Sequence, residues 1–242
     1  MPAIAESHFI TRRQAVMSPG AKDRIRGLYV IMNTASVPAD DFNDTARRVL
    51  EGGASIIQYR DKSDDTHKRS AQARALTGLC RTFGALLIIN DDPLLAHESG
   101  ADGVHVGCHD ESVRKIRRTY PGMIIGASCY DSLDIAANMV DQGASYLAFG
   151  SFYPSPTKPM AVPVKPDVLV QAGRKFNVPL VAIGGIVAEN AGALIESGAD
   201  AVAVISAVLD SDDPSRASRN IASLFSYDEE QAMNPDNPSP DS

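Results

Sequence analysis

Residues 143–150 read Gly143-Ala144-Ser145-Tyr146-Leu147-Ala148-Phe149-Gly150, a Gly-Ala turn that runs straight into a short apolar segment. This is the form expected where glycine ends a helix and a strand begins. The same unit recurs along the chain. Gly53-Ala54-Ser55 precedes IIQYR, Gly100-Ala101-Asp102 precedes GVHVG, and Gly198-Ala199-Asp200 precedes AVAVI. The spacings of 47, 43 and 55 residues leave room for two strand–helix units in each repeat.

The missing units are present between the copies. LYVIM near 28, LLIIN near 86, MIIGA near 123 and PLVAI near 179 read as strands. Amphipathic stretches at Asp40–Leu50, Asp64–Phe83, Ser112–Arg118, Ser132–Gln142, Pro166–Phe176, Glu189–Glu196 and Pro214–Phe225 read as helices, with a brief one at Pro93–Glu98. Eight apolar strands alternating with eight helices predict an α/β protein, a single (β/α)8 TIM barrel. A doubly wound open sheet is the structural alternative, and it explains the count of eight and the two-unit repeat less well. The barrel is expected over 26–227, behind a loose N-terminal extension at 1–25. The acidic, Pro-rich segment DEEQAMNPDNPSPDS is expected to be a disordered tail at 228–242.

Composition narrows the function classes. The formal net charge of -7 argues against nucleic acid or an anionic membrane as partner. No apolar run approaches the ~20 residues of a transmembrane helix. The N-terminal segment lacks a signal-peptide core, so the expected location is cytoplasmic. Cys80, Cys108 and Cys129 are odd in number and widely spaced, which disfavours a disulfide framework or a structural zinc site. The expected partners are small molecules, and a homo-oligomer is left open.

In a barrel of this kind the chemistry sits where the strands end. Strand two ends in Gln58-Tyr59-Arg60-Asp61-Lys62, and strand three in Asn90-Asp91-Asp92. Strand four leads to Gly107-Cys108-His109-Asp110, strand five to Ser128, and strand six to Gly150-Ser151 and a Pro-rich run through Lys158. Asp91 and Asp110, from neighbouring strands, suit one Mg2+ ion, which binds through one or two carboxylates plus phosphate oxygens. With Arg60, Lys62 and Lys158 they describe a pyrophosphate site better than an acid/base pair. Gly184-Gly185 and Ile205-Ser206 suit a second, metal-free phosphate cup built from backbone N–H groups. Asp92 reads as the cap of the next helix. His105, inside strand four, reads as a satisfied barrel histidine rather than a catalyst.

The strand ends resemble those of the thiamine-phosphate synthase family, in order, from about Arg26 to Phe225. The matching pieces are QYRDK (58–62), IINDDP (88–93), ADGVHVG followed by Asp110, GAS (126–128), FGSFYPSPTKP (149–159), AIGGI (182–186) and VIS (204–206). AIGGI alone would be unspecific; seven ordered motifs are not.

The resemblance implies a transferase that joins hydroxymethylpyrimidine pyrophosphate to a thiazole phosphate, giving thiamine phosphate and pyrophosphate. It implies Mg2+ on Asp91 and Asp110. It assigns the pyrimidine pyrophosphate to Gln58, Tyr59, Arg60, Asp61, Lys62, Asn90, Ser128 and Lys158. Of these, Arg60, Lys62, Ser128 and Lys158 are the catalytic set. It assigns the thiazole phosphate to Ser155, Pro156, Thr157, Gly185, Ile205 and Ser206. Tyr29 and Tyr146 are open between the pyrimidine pocket and the core. The segment FYPSPTKPMAVPVKP (152–166) is open between a lid and a stiff connector.

The chain departs from the family at Ser151, where Pro is common, and at Ser155, where Thr is usual. Asn33 stands where Asp commonly closes the first strand, which puts a role for strand one in doubt. Cys108 and His109 vary in the family, and hard Mg2+ disfavours both side chains. Three rivals remain: a thiazole tautomerase on the same barrel, a sugar-phosphate isomerase or epimerase, and a non-catalytic binder of thiamine precursors. The first has no need of a pyrophosphate site, the last has no use for leaving-group stabilisation, and the isomerase would want an acid/base pair facing a carbonyl.

Overall fold

The structure, a computed structural model, describes residues 24–108, 110–154 and 163–233, with side chains described to Phe225. Eight parallel strands close into a barrel in sequence order. They are β1 (Gly27–Asn33), β2 (Ile56–Arg60), β3 (Leu86–Asn90), β4 (Gly103–Val106), β5 (Ile124–Tyr130), β6 (Tyr146–Gly150), β7 (Leu180–Ile183) and β8 (Ala201–Val204). The helices are α1 (Phe42–Glu51), α2 (Thr66–Phe83), α3 (Pro93–Ser99), α4 (Val113–Thr119), α5 (Leu133–Gln142), α6 (Asp167–Lys175), α7 (Ala188–Glu196), α8 (Ser206–Leu209) and α9 (Pro214–Met233). The open-sheet alternative is excluded, because β1 pairs with both β2 and β8.

The repeated Gly-Ala turns do what their chemistry allows. Gly53, Gly100, Gly143 and Gly198 all have φ between 71° and 102°, a left-handed conformation that side chains with a Cβ resist. Alternation along each strand then divides the apolar residues into two cores. One fills the barrel, with Ile31, Ile56, Leu86, Ile88, Val181 and Ala201 among its members. The other packs strands against helices and includes Val30, Ile57, Leu87, Val104 and Leu147.

Two boundaries differ from the sequence expectation. The short helix α8 follows β8 directly, with Ile205 as its N-cap. The last helix runs to Met233, beyond the end expected at Phe225 and into the segment assigned to the tail. Glu229 to Met233 are good helix formers, which accounts for the extension. The rest of the tail (234–242) and most of the N-terminal extension (1–23) lie outside the described residues, as do His109 and 155–162.

Candidate functional site

The carboxyl ends of the strands gather two chemically different sectors. The first belongs to β2, β3 and the loop after β4. Arg60 Nη1 donates to Asn33 Oδ1 at 3.2 Å, so the end of strand one does take part, by orienting a guanidinium. Lys62 forms an ion pair with Asp91, its own side chain being largely exposed. Burial raises the Asp91 carboxyl above its ordinary value. The Lys62 ammonium opposes that rise, while a hydrogen bond to Asp110 and the charge of Asp110 reinforce it. Asp110 also accepts from Gly107 N at 2.7 Å, which anchors it at the end of β4.

Two carboxyl groups in contact, one of them already paired with a cation, form a donor set that suits a hard divalent ion. The Lys62 ammonium shows that positive charge is accommodated beside Asp91. Asp91 itself has φ 63°, a left-handed value rare outside Gly, Asn and Asp, which turns its side chain out of the strand's alternation. Among the described residues no group of three or more His, Cys, Asp or Glu could hold a metal by itself. Mg2+ needs fewer protein ligands when phosphate oxygens supply the rest.

Asp92 is a different case. It caps α3 by accepting from Leu95 N at 2.9 Å and pairs with Arg69 at 2.8 Å. Tyr59 and Asp61, both expected at the substrate, also face away from it. Tyr59 lies between β2 and the helices, edge-on to Phe42 and donating to Gln72 Oε1 at 2.9 Å. The Asp61 side chain is 1% exposed and pairs with Lys68 at 3.0 Å. Burial works against its charge, yet the Ser63 hydrogen bonds and Lys68 hold its carboxyl well below the usual range. These two residues brace the loop that carries Lys62.

The second sector spans β6 to β8 and carries no charge among its described residues. Its cavity of about 140 Å³ is lined by Ser128, Gly150, Gly184, Gly185, Ile205 and Ser206. Three predicted phosphate contacts, Gly185, Ile205 and Ser206, thus meet Ser128 in one space. Gly185 has φ 64°, and a Cβ there would lie 2.6 Å from Tyr153 O. Glycine is therefore required to let the loop turn here. Ser155, Pro156, Thr157 and Lys158 lie outside the described residues.

Between the sectors, inside the barrel, runs a line of polar side chains. Gln58 Nε2 donates to Tyr29 Oη at 2.7 Å, and Tyr29 Oη lies 3.0 Å from Tyr146 Oη. Tyr146 Oη lies 3.0 Å from His105 Nδ1, and His105 Nε2 lies 2.9 Å from Ser128 Oγ. Tyr29 and Tyr146 are thus buried in the barrel and hydrogen-bonded as well, their rings edge to face at 6.3 Å. Gln58, expected at the substrate, is 4% exposed and directs its amide nitrogen to Tyr29. Burial lowers His105 to about 4, against a small opposing pull from Asp110. Gly126 makes the line possible, because a Cβ there would fall 2.5 Å from His105 Nδ1 and strike the Tyr146 phenol.

Sequence reasoning missed two participants. Tyr130 lines the cavity and reaches Cys108 Sγ at 3.3 Å, because the β5–β6 register shifts between Ser128 and Tyr130. The other is Asn33, described above.

The chain is similar to known proteins in both sequence and fold. The model of the family described as "Thiamine monophosphate synthase" matches residues 28–208. The thiamine-phosphate synthase of Thiobacillus denitrificans is 51% identical over 183 residues, covering 75% of this chain and 87% of that protein. That of Thioalkalivibrio sulfidiphilus is 45% identical over 206 residues, covering 84% and 97%. Among solved structures, a thiamine phosphate pyrophosphorylase from Pyrococcus furiosus superposes with a TM-score of 0.77 at 32% identity, covering 86% of this chain and 98% of that one. A 3-hexulose-6-phosphate synthase (TM-score 0.61, 17% identity) shares the fold.

Proposed function

From the premise that this chain belongs to the thiamine monophosphate synthase family, we propose that its two sectors hold the two substrates of thiamine phosphate formation. The chain is an enzyme of that family, a transferase of thiamine biosynthesis. The pyrimidine pyrophosphate sits over β2 to β4, and the thiazole phosphate over β6 to β8. The observation that carries the reading is the Lys62–Asp91–Asp110 cluster after β2 to β4, on the same barrel rim as an uncharged glycine-lined cavity at the ends of β5 to β8.

The reaction breaks the bond between the pyrimidine methylene carbon and the bridging pyrophosphate oxygen. The electron pair leaves with pyrophosphate, and the methylene cation is stabilised by the pyrimidine ring. The thiazole nitrogen then supplies its lone pair to form the new C–N bond. A ring nitrogen needs no general base, and none is placed here.

What the protein contributes is stabilisation of charge growing on the leaving group, in a site arranged beforehand. Arg60 offers a planar fork, held in orientation by Asn33. Lys62 offers a mobile point charge. Asp91 and Asp110 are the residues that would hold Mg2+, which when bound neutralises pyrophosphate oxygens. The glycine-rich turn after β7 and the first N–H groups beyond β8 bind the phosphate that stays attached throughout. Lys158 completes the cationic set on the grounds of its motif.

The test is to incubate purified protein with hydroxymethylpyrimidine pyrophosphate and thiazole phosphate, with and without Mg2+, and assay thiamine phosphate. Mg2+-dependent product is the expected result. Binding of both compounds without product would overturn the reading in favour of a precursor-binding protein.

A further inference from the structure

The polar line Gln58–Tyr29–Tyr146–His105–Ser128 has a direction, and we infer that this direction makes His105 a positioning residue that aims the Ser128 hydroxyl proton into the cavity. Five side chains from five strands (β2, β1, β6, β4 and β5) are joined by four hydrogen bonds of 2.7 to 3.0 Å. Such a chain can in principle be polarised either way. Counting hydrogens decides which.

Gln58 presents its amide nitrogen to Tyr29, so Tyr29 Oη accepts at that end. Tyr29 is 1% exposed, and among the described residues its hydroxyl has two partners, Gln58 and Tyr146. Its single proton must therefore go to Tyr146. Were Tyr146 to donate instead, the Tyr29 proton would be buried without an acceptor, an arrangement that costs about 1–3 kcal/mol. Tyr146 is fully buried too, so its own proton goes to the remaining partner, His105 Nδ1.

The imidazole is then an acceptor at Nδ1 and carries its proton on Nε2. An imidazolium is excluded by the same count, because Nδ1–H would push the Tyr146 proton back towards Tyr29. The Nε2 proton points at Ser128 Oγ, 2.9 Å away. Ser128 therefore accepts from His105, and its own proton is left for the cavity that Ser128 lines.

The consequence for the reaction rests on the proposed function. Ser128 stands at the end of β5, between the charged sector and the glycine sector. With its proton directed outward it is a hydrogen-bond donor to substrate, and it is neither a base nor a nucleophile activated by histidine. No proton is transferred; the hydroxyl adds one donor to the groups that stabilise the departing oxygen. Serine and histidine at hydrogen-bond distance usually suggest a nucleophile and its base. Here the two tyrosines behind the histidine set the opposite tautomer.

The experiment is 15N NMR of histidine-labelled full-length protein without substrates, with the His105 signal assigned by its loss in His105→Phe. The expected spectrum shows Nε2 protonated and Nδ1 bare. Gln58→Glu, read above the pH at which its buried carboxyl ionises, supplies a group that only accepts, so it should reverse the whole line and move the proton to Nδ1. An Nδ1–H tautomer or an imidazolium in the unmodified protein would overturn the inference, as would an unchanged tautomer in Gln58→Glu.

These readouts need no catalysis, so they stand apart from the proposed function. In the enzyme assay, Ser128→Ala and His105→Phe should each lower kcat about tenfold or more while KM for thiazole phosphate holds. The double variant should be no slower than Ser128→Ala alone. Additive losses would show that His105 acts independently of Ser128 and would sink the positioning role.

Discussion

On the proposed reading, the two sectors of the barrel mouth handle phosphate by different physics. Over β2 to β4 the side chains carry full charges: Arg60 braced by Asn33, Lys62 paired with Asp91, and Asp110 next to it. Over β6 to β8 the described lining is uncharged, with glycines and serines set among apolar side chains. The difference follows from what each phosphate must do. A pyrophosphate that departs gains charge during the reaction, and strong charges with a metal respond to that gain. A phosphate that remains attached keeps its charge, so fixed backbone dipoles suffice to hold it.

The contrast can be broken by exchanging what each side depends on. Asp91→Ala should remove the carboxylate proposed to hold the metal and lower turnover about 100-fold or more, which a steady-state assay with varied Mg2+ would read. A loss of less than about threefold would remove the metal assignment. Gly185→Ala should come next. Its Cβ meets Tyr153 O at 2.6 Å and forces a left-handed φ on alanine, so the loop must shift. KM for thiazole phosphate should rise about tenfold, a loss of roughly 1.4 kcal/mol in binding. The apparent affinity for pyrophosphate should stay put.

Arg60→Lys retains the charge and loses the fork. A several-fold loss of kcat/KM, confined to the pyrimidine substrate, is expected from competition kinetics. The smallest catalytic effect belongs to Asp92→Ala. This residue caps α3 and pairs with Arg69, so denaturant unfolding should show a stability loss of about 1–2 kcal/mol with turnover intact. Two neighbouring aspartates would then separate cleanly, one by rate and one by stability.

The fold was legible because it repeats. Four Gly-Ala turns, each before a β-rich run, mark every second strand, and the intervening strands are short apolar runs that hydrophobic pattern alone picks out. The charged sector was legible for the same reason, since chemistry in a barrel collects at strand ends. Orientation was harder. Tyr59 and Asp61 sit in the same motif as Arg60, but strand alternation sends Tyr59 to the helix side, and Asp61 turns back to Ser63 and Lys68. That signal was available in the period of two. The link between His105 and Ser128 was not available, because it depends on the register of β4 against β5 and on a phenol crossing over Gly126 from β6. The end of the last helix was obscured by acidic, polar composition, which describes solvation better than helix propensity.

The claim that most needs testing is that the two anion sites differ in metal dependence. Calorimetric titration of the full-length protein with pyrophosphate and, separately, with thiazole phosphate would decide it, each with Mg2+ and with chelator. Pyrophosphate binding should require Mg2+ and vanish in Asp91→Ala, while thiazole phosphate should bind equally well in all conditions. Metal dependence shared by both ligands, or absent from both, would contradict the division of the barrel mouth drawn here.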